Sequence, residues 1–340
     1  MTVAPAASGH SGAPAHMPSA APTAMPTATP TAMPAVSPIS VPAATTGPGE
    51  PPAEPVTLTC ADGTRLHGHF LAASGGTPGL PVLIAPATGV RQHFYLRFAA
   101  WLAAQGHDVL VFDYRGIGLS LHGPLRECRA ALHEWGQQDQ VAAIEWLAAR
   151  SGQPRIGLVG HSAGGQMMGL LPNHERLARV VGVAASSGWF AAMRPAFGFK
   201  ARLGLRVLLP AGIALRGYAP ASRVGLGEDL PARVALQWGQ WCAAGGYATN
   251  AVKGRPQQDF HAQVRVPITV LHAADDDIAN ARTVADLLRT FPAADKRAHC
   301  IAPADHGLRR IGHIDWFRSS HQALWPLMAA PLRGDAAMPA

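Results

Sequence analysis

Acidic residues are scarce in this chain. It carries 21 Asp and Glu against 28 Lys and Arg in 340 residues, and its net charge of +7 reflects missing acids more than a basic cluster. No block of five or six like charges occurs, and no aromatic residues interleave with a Lys/Arg stripe. Nucleic-acid binding is therefore not expected, although a mild preference for anionic surfaces or substrates is compatible with the balance. Long apolar runs are missing too. A membrane span needs about 18 uninterrupted apolar residues, and the nearest stretch, Leu203-Gly204-Leu205-Arg206-Val207-Leu208-Leu209-Pro210, is broken by Arg206 and Pro210. Stable membrane insertion is not expected. The four cysteines, Cys60, Cys128, Cys242 and Cys300, lie far apart without metal-ligand spacing, and read as reduced, mostly buried thiols. His299, His306 and His313 recur every seven residues, but they cross a strand and a loop, so neither a metal site nor a cofactor is expected.

Composition shifts sharply near residue 55. Residues 1–54 are a run of Pro, Ala, Thr, Ser and Met with repeats such as Pro22-Thr23-Ala24-Met25-Pro26. Few bulky apolar groups and many prolines leave such a segment unable to offset its ordering entropy, which predicts a disordered or polyproline-like tail. No Lys or Arg precedes Arg65 and no continuous apolar stretch occurs there. A secretory signal needs both, so a cytoplasmic location is expected. Residues 55–340 have room for one large domain.

Within that domain, strand and helix patterns alternate. Val56 to Cys60, the Asp62-Gly63 pair and Arg65 to Leu71 predict a hairpin. Pro81 to Ala85 and Asp108 to Phe112 are apolar runs suited to strands buried on both faces. Phe94, Tyr95, Phe98, Trp101 and Leu102 recur at helical spacing, and Leu132 to Ala149 predicts a second helix. Further strands are expected at Val180 to Ala184, Ile268 to His272 and Arg297 to Ile301, with helices around Val284 to Phe291 and Trp316 to Leu327. This order implies an α/β architecture with a mainly parallel sheet covered by helices on both faces. Between Ser186 and Pro267 the alternation stops, while apolar helical fragments and aromatics continue. A structureless loop of that length is unusual, so an inserted helical cap over about residues 187–265 is expected. It would roof the carboxyl end of the sheet and exclude water.

One motif carries the chemistry. Gly160-His161-Ser162-Ala163-Gly164 follows the apolar run Ile156-Gly157-Leu158-Val159 and precedes Gln166-Met167-Met168-Gly169-Leu170-Leu171. Read as strand, tight turn and helix, this exposes a serine hydroxyl above the end of a parallel strand. The glycines suit a place where backbones pass too close for side chains. The Ala163 N–H, aided by a helix N-terminus, would face a developing oxyanion. The glycines of Arg115-Gly116-Ile117-Gly118-Leu119-Ser120 suggest a dinucleotide site only superficially. The third glycine and the following helix are missing, so a structural turn is expected.

From about Pro55 to about Pro331 the chain resembles the α/β-hydrolase fold, and within it a bacterial group described as serine aminopeptidase S33-like. The stretches that carry the likeness are Ala85-Pro86-Ala87-Thr88-Gly89-Val90-Arg91-Gln92-His93-Phe94-Tyr95, Phe112-Asp113-Tyr114-Arg115-Gly116-Ile117-Gly118-Leu119-Ser120, the serine turn, and Ile311-Gly312-His313. The resemblance implies a Ser-His-Asp hydrolase with chain order Ser, acid, His. The acid is expected after the strand that follows the cap, in Ala273-Ala274-Asp275-Asp276-Asp277. Counting along the family pattern selects Asp276, with Asp275 as the alternative register and Asp277 as a possible helix cap. Two histidines compete as base, His306 and His313; Gly312-His313 before aromatics resembles the family's arrangement and favours His313. Alignment by resemblance makes Thr88 the second oxyanion donor, since Pro86 has no N–H and Ala87 is the other choice. Arg91, Gln92 and His93 could line a pocket or form a solvated first turn.

These readings predict a serine hydrolase acting on a small-molecule acyl substrate through an acyl-enzyme. A peptidase of the S33 type needs carboxylates in the cap to bind a terminal amine, and only Glu228, Asp229 and Asp259 lie between Ser187 and Arg265. Ester cleavage is therefore preferred over peptide cleavage; acyl transfer uses the same groups. A non-catalytic binding module of the same fold is the alternative from another class.

Overall fold

The computed structural model describes residues 52–334. The tail expected over 1–54 lies almost entirely outside them, and Glu54 already opens the first strand.

The described residues open with an antiparallel hairpin, β1 (Glu54–Thr59) and β2 (Arg65–Leu71). Its turn uses Asp62, whose carboxylate accepts the Thr64 N–H at 3.0 Å, and Gly63 at φ 80°. Then come β3 (Val82–Ala85), α1 (Leu96–Ala104) and β4 (Val109–Phe112). Both strands are buried throughout, as uninterrupted apolar runs in a covered sheet should be. Helix α1 buries Phe98, Ala99, Leu102 and Ala103, and Phe98 meets Phe317 and Trp325 edge-on at 5.3 and 5.6 Å.

The helix expected over Leu132 to Ala149 is continuous but uneven. It comprises α2 (Leu132–Glu134), a widened π turn over Trp135–Gln140, and α3 (Val141–Ser151). The π turn delivers two buried polar side chains inward. Asp139 accepts the Arg115 backbone N–H at 2.9 Å and its Nε–H at 2.6 Å. Gln140 donates to the Gly164 carbonyl at 3.0 Å and to Tyr114 Oη at 2.9 Å. The Arg115-to-Ser120 stretch is accordingly a structural turn, closed further by Asp62, which accepts from Arg115 Nη1 at 2.7 Å.

Strand β5 (Ile156–His161) leads into the serine turn and β6 (Leu177–Val183) follows. The α-helix expected between them is not formed. Two short 3₁₀ turns, Ser162–Gly165 and Met168–Leu170, take its place. Gly164, Gly165 and Gly169 explain this: each favours close packing over helix propensity. A Cβ on Gly164 would strike the Ala85 carbonyl, and one on Gly169 would strike the His261 ring.

The insertion that follows β6 holds α4 (Pro195–Leu203), a π turn over Gly204–Leu208, α5 (Leu209–Arg216), the short pair β7 (Tyr218–Ala219) and β8 (Leu230–Pro231), and α6 (Ala232–Trp241). Leu205, Leu209, Val234, Ala235 and Trp241 form its buried side. The sheet then resumes with β9 (Ile268–Ala273), α7 (Ala281–Leu288), β10 (Lys296–Ile301) and α8 (Trp325–Arg333). Helix α7 is capped by Asn280, whose Oδ1 accepts the Arg282 and Thr283 N–H groups at 2.9 and 3.2 Å, and not by Asp277.

The eight-stranded sheet has the order β1-β2-β4-β3-β5-β6-β9-β10. Only β2 against β1 and β4 is antiparallel; every other pairing is parallel. The carboxyl ends of β3, β5, β9 and β10 therefore open on one side, where ligands bind in sheets of this kind.

Candidate active site

Ser162 sits at the tip of the turn after β5 with φ 47°, a left-handed conformation that costs a non-glycine residue about 1–3 kcal/mol. The surrounding packing holds it there. Gly160 passes so close to Gly164 and Gly165 that a Cβ could not fit, and Gln140 clasps the Gly164 carbonyl. The serine is thus presented by a rigid corner.

His313 reaches this serine from the loop after β10. Its Nε2 lies 2.9 Å from Ser162 Oγ, and its Nδ1 lies 2.8 Å from Asp276 Oδ2. A carboxylate only accepts, so Nδ1 carries the proton and Nε2 offers its lone pair to the serine hydroxyl. Burial alone would raise the Asp276 carboxyl. The His313 ring and the Ile278 and Ala279 amides outweigh it and hold the group below its ordinary range. Those amides donate to Asp276 Oδ1 at 2.7 and 3.0 Å, which leaves Oδ2 for the imidazole. His306, on a 3₁₀ turn over Pro303–His306, has no such link to the serine.

The three adjacent aspartates have separate partners. Asp275 accepts the Ile311 and Gly312 N–H groups at 3.1 and 2.9 Å and so braces the segment that carries His313. Asp277 pairs with Arg194 of the insertion at 3.3 Å. Only Asp276 faces the imidazole.

A second histidine supports the first, and sequence reasoning missed it. His161 is fully buried, with its pKa pushed down to about 3 by burial and by the neighbouring His313. It is neutral, and its partners set the tautomer. Nε2–H donates to the His313 carbonyl at 2.9 Å, so Nδ1 accepts from Tyr95 Oη at 2.8 Å. Tyr95 Oη in turn accepts the Ala87 N–H at 2.9 Å. An uncharged hydrogen-bonded chain thereby ties the loop after β3 to the backbone of the histidine. No local signal marked Tyr95 or His161 for this; both read as ordinary members of a helix and a turn.

The same bond bears on the oxyanion donors. With the Ala87 N–H committed to Tyr95, the next amide on the loop is that of Thr88, which is buried at 8% exposure. Ala163 is buried beside Ser162. The macrodipole expected to assist it is lacking, because the following turn is a short 3₁₀ segment. Gln92, considered for a pocket wall, is instead a buried hub: it donates to Asp113 Oδ2 at 2.9 Å and to the His67 carbonyl at 3.1 Å. Arg91 pairs with Glu228 of the insertion at 2.5 Å. Among the described residues no group of three His, Cys, Asp or Glu side chains stands close enough to hold a metal ion. Nor is any helix long and apolar enough to cross a membrane.

A family model described as alpha/beta hydrolase fold matches residues 81–308. The uncharacterized protein YfhR of Salmonella typhi is 32% identical over 126 residues, which cover 35% of this chain and 40% of that protein. The match thus spans well under half of the relative's length. Among solved structures, a soluble variant of monoglyceride lipase from Saccharomyces cerevisiae, bound to a substrate analogue, aligns with a TM-score of 0.59 at 17% identity, covering 88% of this chain and 100% of that one. The Pyrococcus furiosus esterase Pf2001 aligns with a TM-score of 0.51 at 15% identity over 80% of this chain and 87% of that one. At these identities the likeness is one of fold.

Proposed function

The chain belongs to the alpha/beta hydrolase fold family, and from that premise we propose that it is a serine hydrolase cleaving an ester or related acyl bond through an acyl-enzyme. One observation carries the reading: the continuous row from Ser162 Oγ through His313 to Asp276, with links of 2.9 and 2.8 Å. Ser162 attacks the acyl carbon while His313 Nε2 takes its proton. Asp276 holds the imidazole tautomer and steadies the charge that forms on it. The Ala163 and Thr88 amides stabilise the oxyanion; losing one such donor costs about 3 kcal/mol. The protonated His313 then returns its proton to the leaving group, and water releases the acyl chain by the same route.

The likeness to the S33 group enters this proposal at the level of the triad only. The three acids of the insertion are already engaged: Glu228 with Arg91 at 2.5 Å, Asp229 with Ser222 at 2.6 Å, and Asp259 with His261 at 2.6 Å. None remains to receive a peptide's terminal amine. A neutral or anionic ester therefore suits the site better than a peptide, in accord with a fold shared with an esterase and a monoglyceride lipase. The insertion acts as a cap, joined to the oxyanion loop through Arg91–Glu228 and to the acid turn through Arg194–Asp277.

The test is turnover of short p-nitrophenyl esters by the full chain, paired with labelling by a fluorophosphonate probe. Wild type should hydrolyse the esters and take up the probe at Ser162, while Ser162→Ala should do neither. Unlabelled wild-type protein would leave the non-catalytic binding reading in its place.

A further inference from the structure

The cap carries an outward face that the hydrolase reading does not use. From Phe199 to Leu215 every fourth residue is apolar and exposed: Phe199, Leu203, Val207, Ala211 and Leu215. Phe199 is 70% exposed and Leu215 84%. In a regular α-helix of 3.6 residues per turn a four-residue repeat drifts around the axis. Here the π turn over Gly204–Leu208 winds fewer degrees per residue and takes back part of that drift, which keeps the stripe on one side. The opposite side is already occupied, since Leu205 and Leu209 are buried and the Leu205 backbone lies against Gly239 of α6. A helix apolar on both sides is normally covered on both. Single exposed apolar residues are ordinary, but a contiguous stripe marks an interaction surface.

Charge identifies the occupant. Lys200 and Arg202 on α4 and Arg206 on the π turn are exposed, and no Asp or Glu occurs from residue 188 to residue 227. A second copy of the chain docking across a two-fold axis would set this acid-free cationic segment against itself. An anionic phospholipid surface offers the opposite sign together with an apolar layer at shallow depth. We propose that the outer face of α4 and α5 is a docking surface for an anionic bilayer, on which the helix pair lies in the interfacial plane without spanning it. The stretch from Leu203 to Pro210, too broken to cross a membrane, is then the centre of a surface-lying segment. The proposal is independent of the proposed catalysis, because docking needs no working serine.

Co-sedimentation of the full chain with vesicles tests it. Wild type should bind phosphatidylglycerol vesicles at low salt, bind pure phosphatidylcholine far less, and lose affinity as salt rises. Phe199→Glu and Leu215→Glu should each weaken binding about tenfold or more. Replacing Lys200, Arg202 and Arg206 by Ala should cost about fivefold per cation removed. These side chains are exposed, so circular dichroism and turnover of a soluble short ester should stay at wild-type values, and Ser162→Ala should bind vesicles as wild type does. The proposal fails if phosphatidylglycerol vesicles are not bound, or if the glutamate variants bind as well as wild type. It also fails if wild type sediments as a dimer that Phe199→Glu dissolves, which would assign the face to a second copy.

Discussion

Two histidine–aspartate pairs in this molecule have nearly the same local chemistry and entirely different settings. His313 and Asp276 are 2.8 Å apart, and His261 and Asp259 are 2.6 Å apart. In the first pair the free ring nitrogen meets a serine hydroxyl; in the second, His261 Nε2 is buried without a hydrogen-bond partner. His261 lies against Phe291 with ring centroids 5.3 Å apart, and the missing side chain of Gly169 makes room for it. Burial lowers its pKa despite the carboxylate. The second pair is local, made by residues two apart whose backbone also closes onto Asp259 at 3.1 Å. The first is assembled from the turn after β9 and the loop after β10. A carboxylate beside an imidazole is therefore not a site. A third group, strained and half-buried beside the right nitrogen, makes the difference.

Breaking the first pair's row should give the largest effect. Ser162→Ala or His313→Ala should lower kcat on short esters by about 10⁶-fold, whereas His261→Ala should leave kcat unchanged. Asp276→Asn should lower kcat by about 10⁴-fold through the wrong tautomer, while Asp259→Asn should not move it. Equal losses from the two substitutions would make the two histidine–aspartate pairs equivalent. Asp275→Ala removes the brace on Ile311 and Gly312. It should cost about 1–3 kcal/mol in urea unfolding and reduce kcat about tenfold to a hundredfold by letting His313 drift.

His161 sharpens the comparison through pH. Its folded pKa of about 3 lies below its ordinary value of 6.5. Between these values the unfolded chain binds the proton and the folded one does not, so stability must fall as pH drops from about 6.5 toward 3. His161→Gln keeps an uncharged donor and acceptor, and its urea midpoint should decline less over that window. A wild-type slope unchanged in the variant would deny His161 its neutral role. The smallest effect belongs to the second pair: His261→Ala should cost about 1–3 kcal/mol of stability by leaving a hole against Phe291, read in the same unfolding assay.

Some of this was legible in the residues themselves and some was not. β3, β4 and β5 announce themselves because a strand covered on both faces must be apolar throughout. The serine turn announces itself because Gly160 and Gly164 occupy places where no Cβ fits. The structure brings together Ser162, Asp276 and His313, which the sequence had singled out. Asp275, Asp276 and Asp277, however, are chemically identical neighbours, and only their surroundings separate a brace, an imidazole partner and a link to Arg194. The helix expected after Ser162 fails for a similar reason: its glycines answer to Ala85 and His261 across space, and local propensity for a helix yields to that packing. The hydrogen-bonded chain Ala87–Tyr95–His161 has no pattern in the sequence, since a tyrosine at the end of a short 3₁₀ turn and a histidine at the end of a strand have many other uses.

The sequence by itself determined the alternation of strand and helix, the glycine-flanked serine, and an acid-poor insertion with an apolar stretch too interrupted to span a bilayer. Those features depend on side-chain size and polarity over a few neighbouring positions. The tertiary structure alone decided which aspartate faces which imidazole nitrogen, that His161 stays uncharged, and that one flank of α4 and α5 is left open while the other is buried. Such outcomes depend on distances between groups remote in the chain, and hydrogen bonds form or fail over tenths of an ångström that no local pattern encodes.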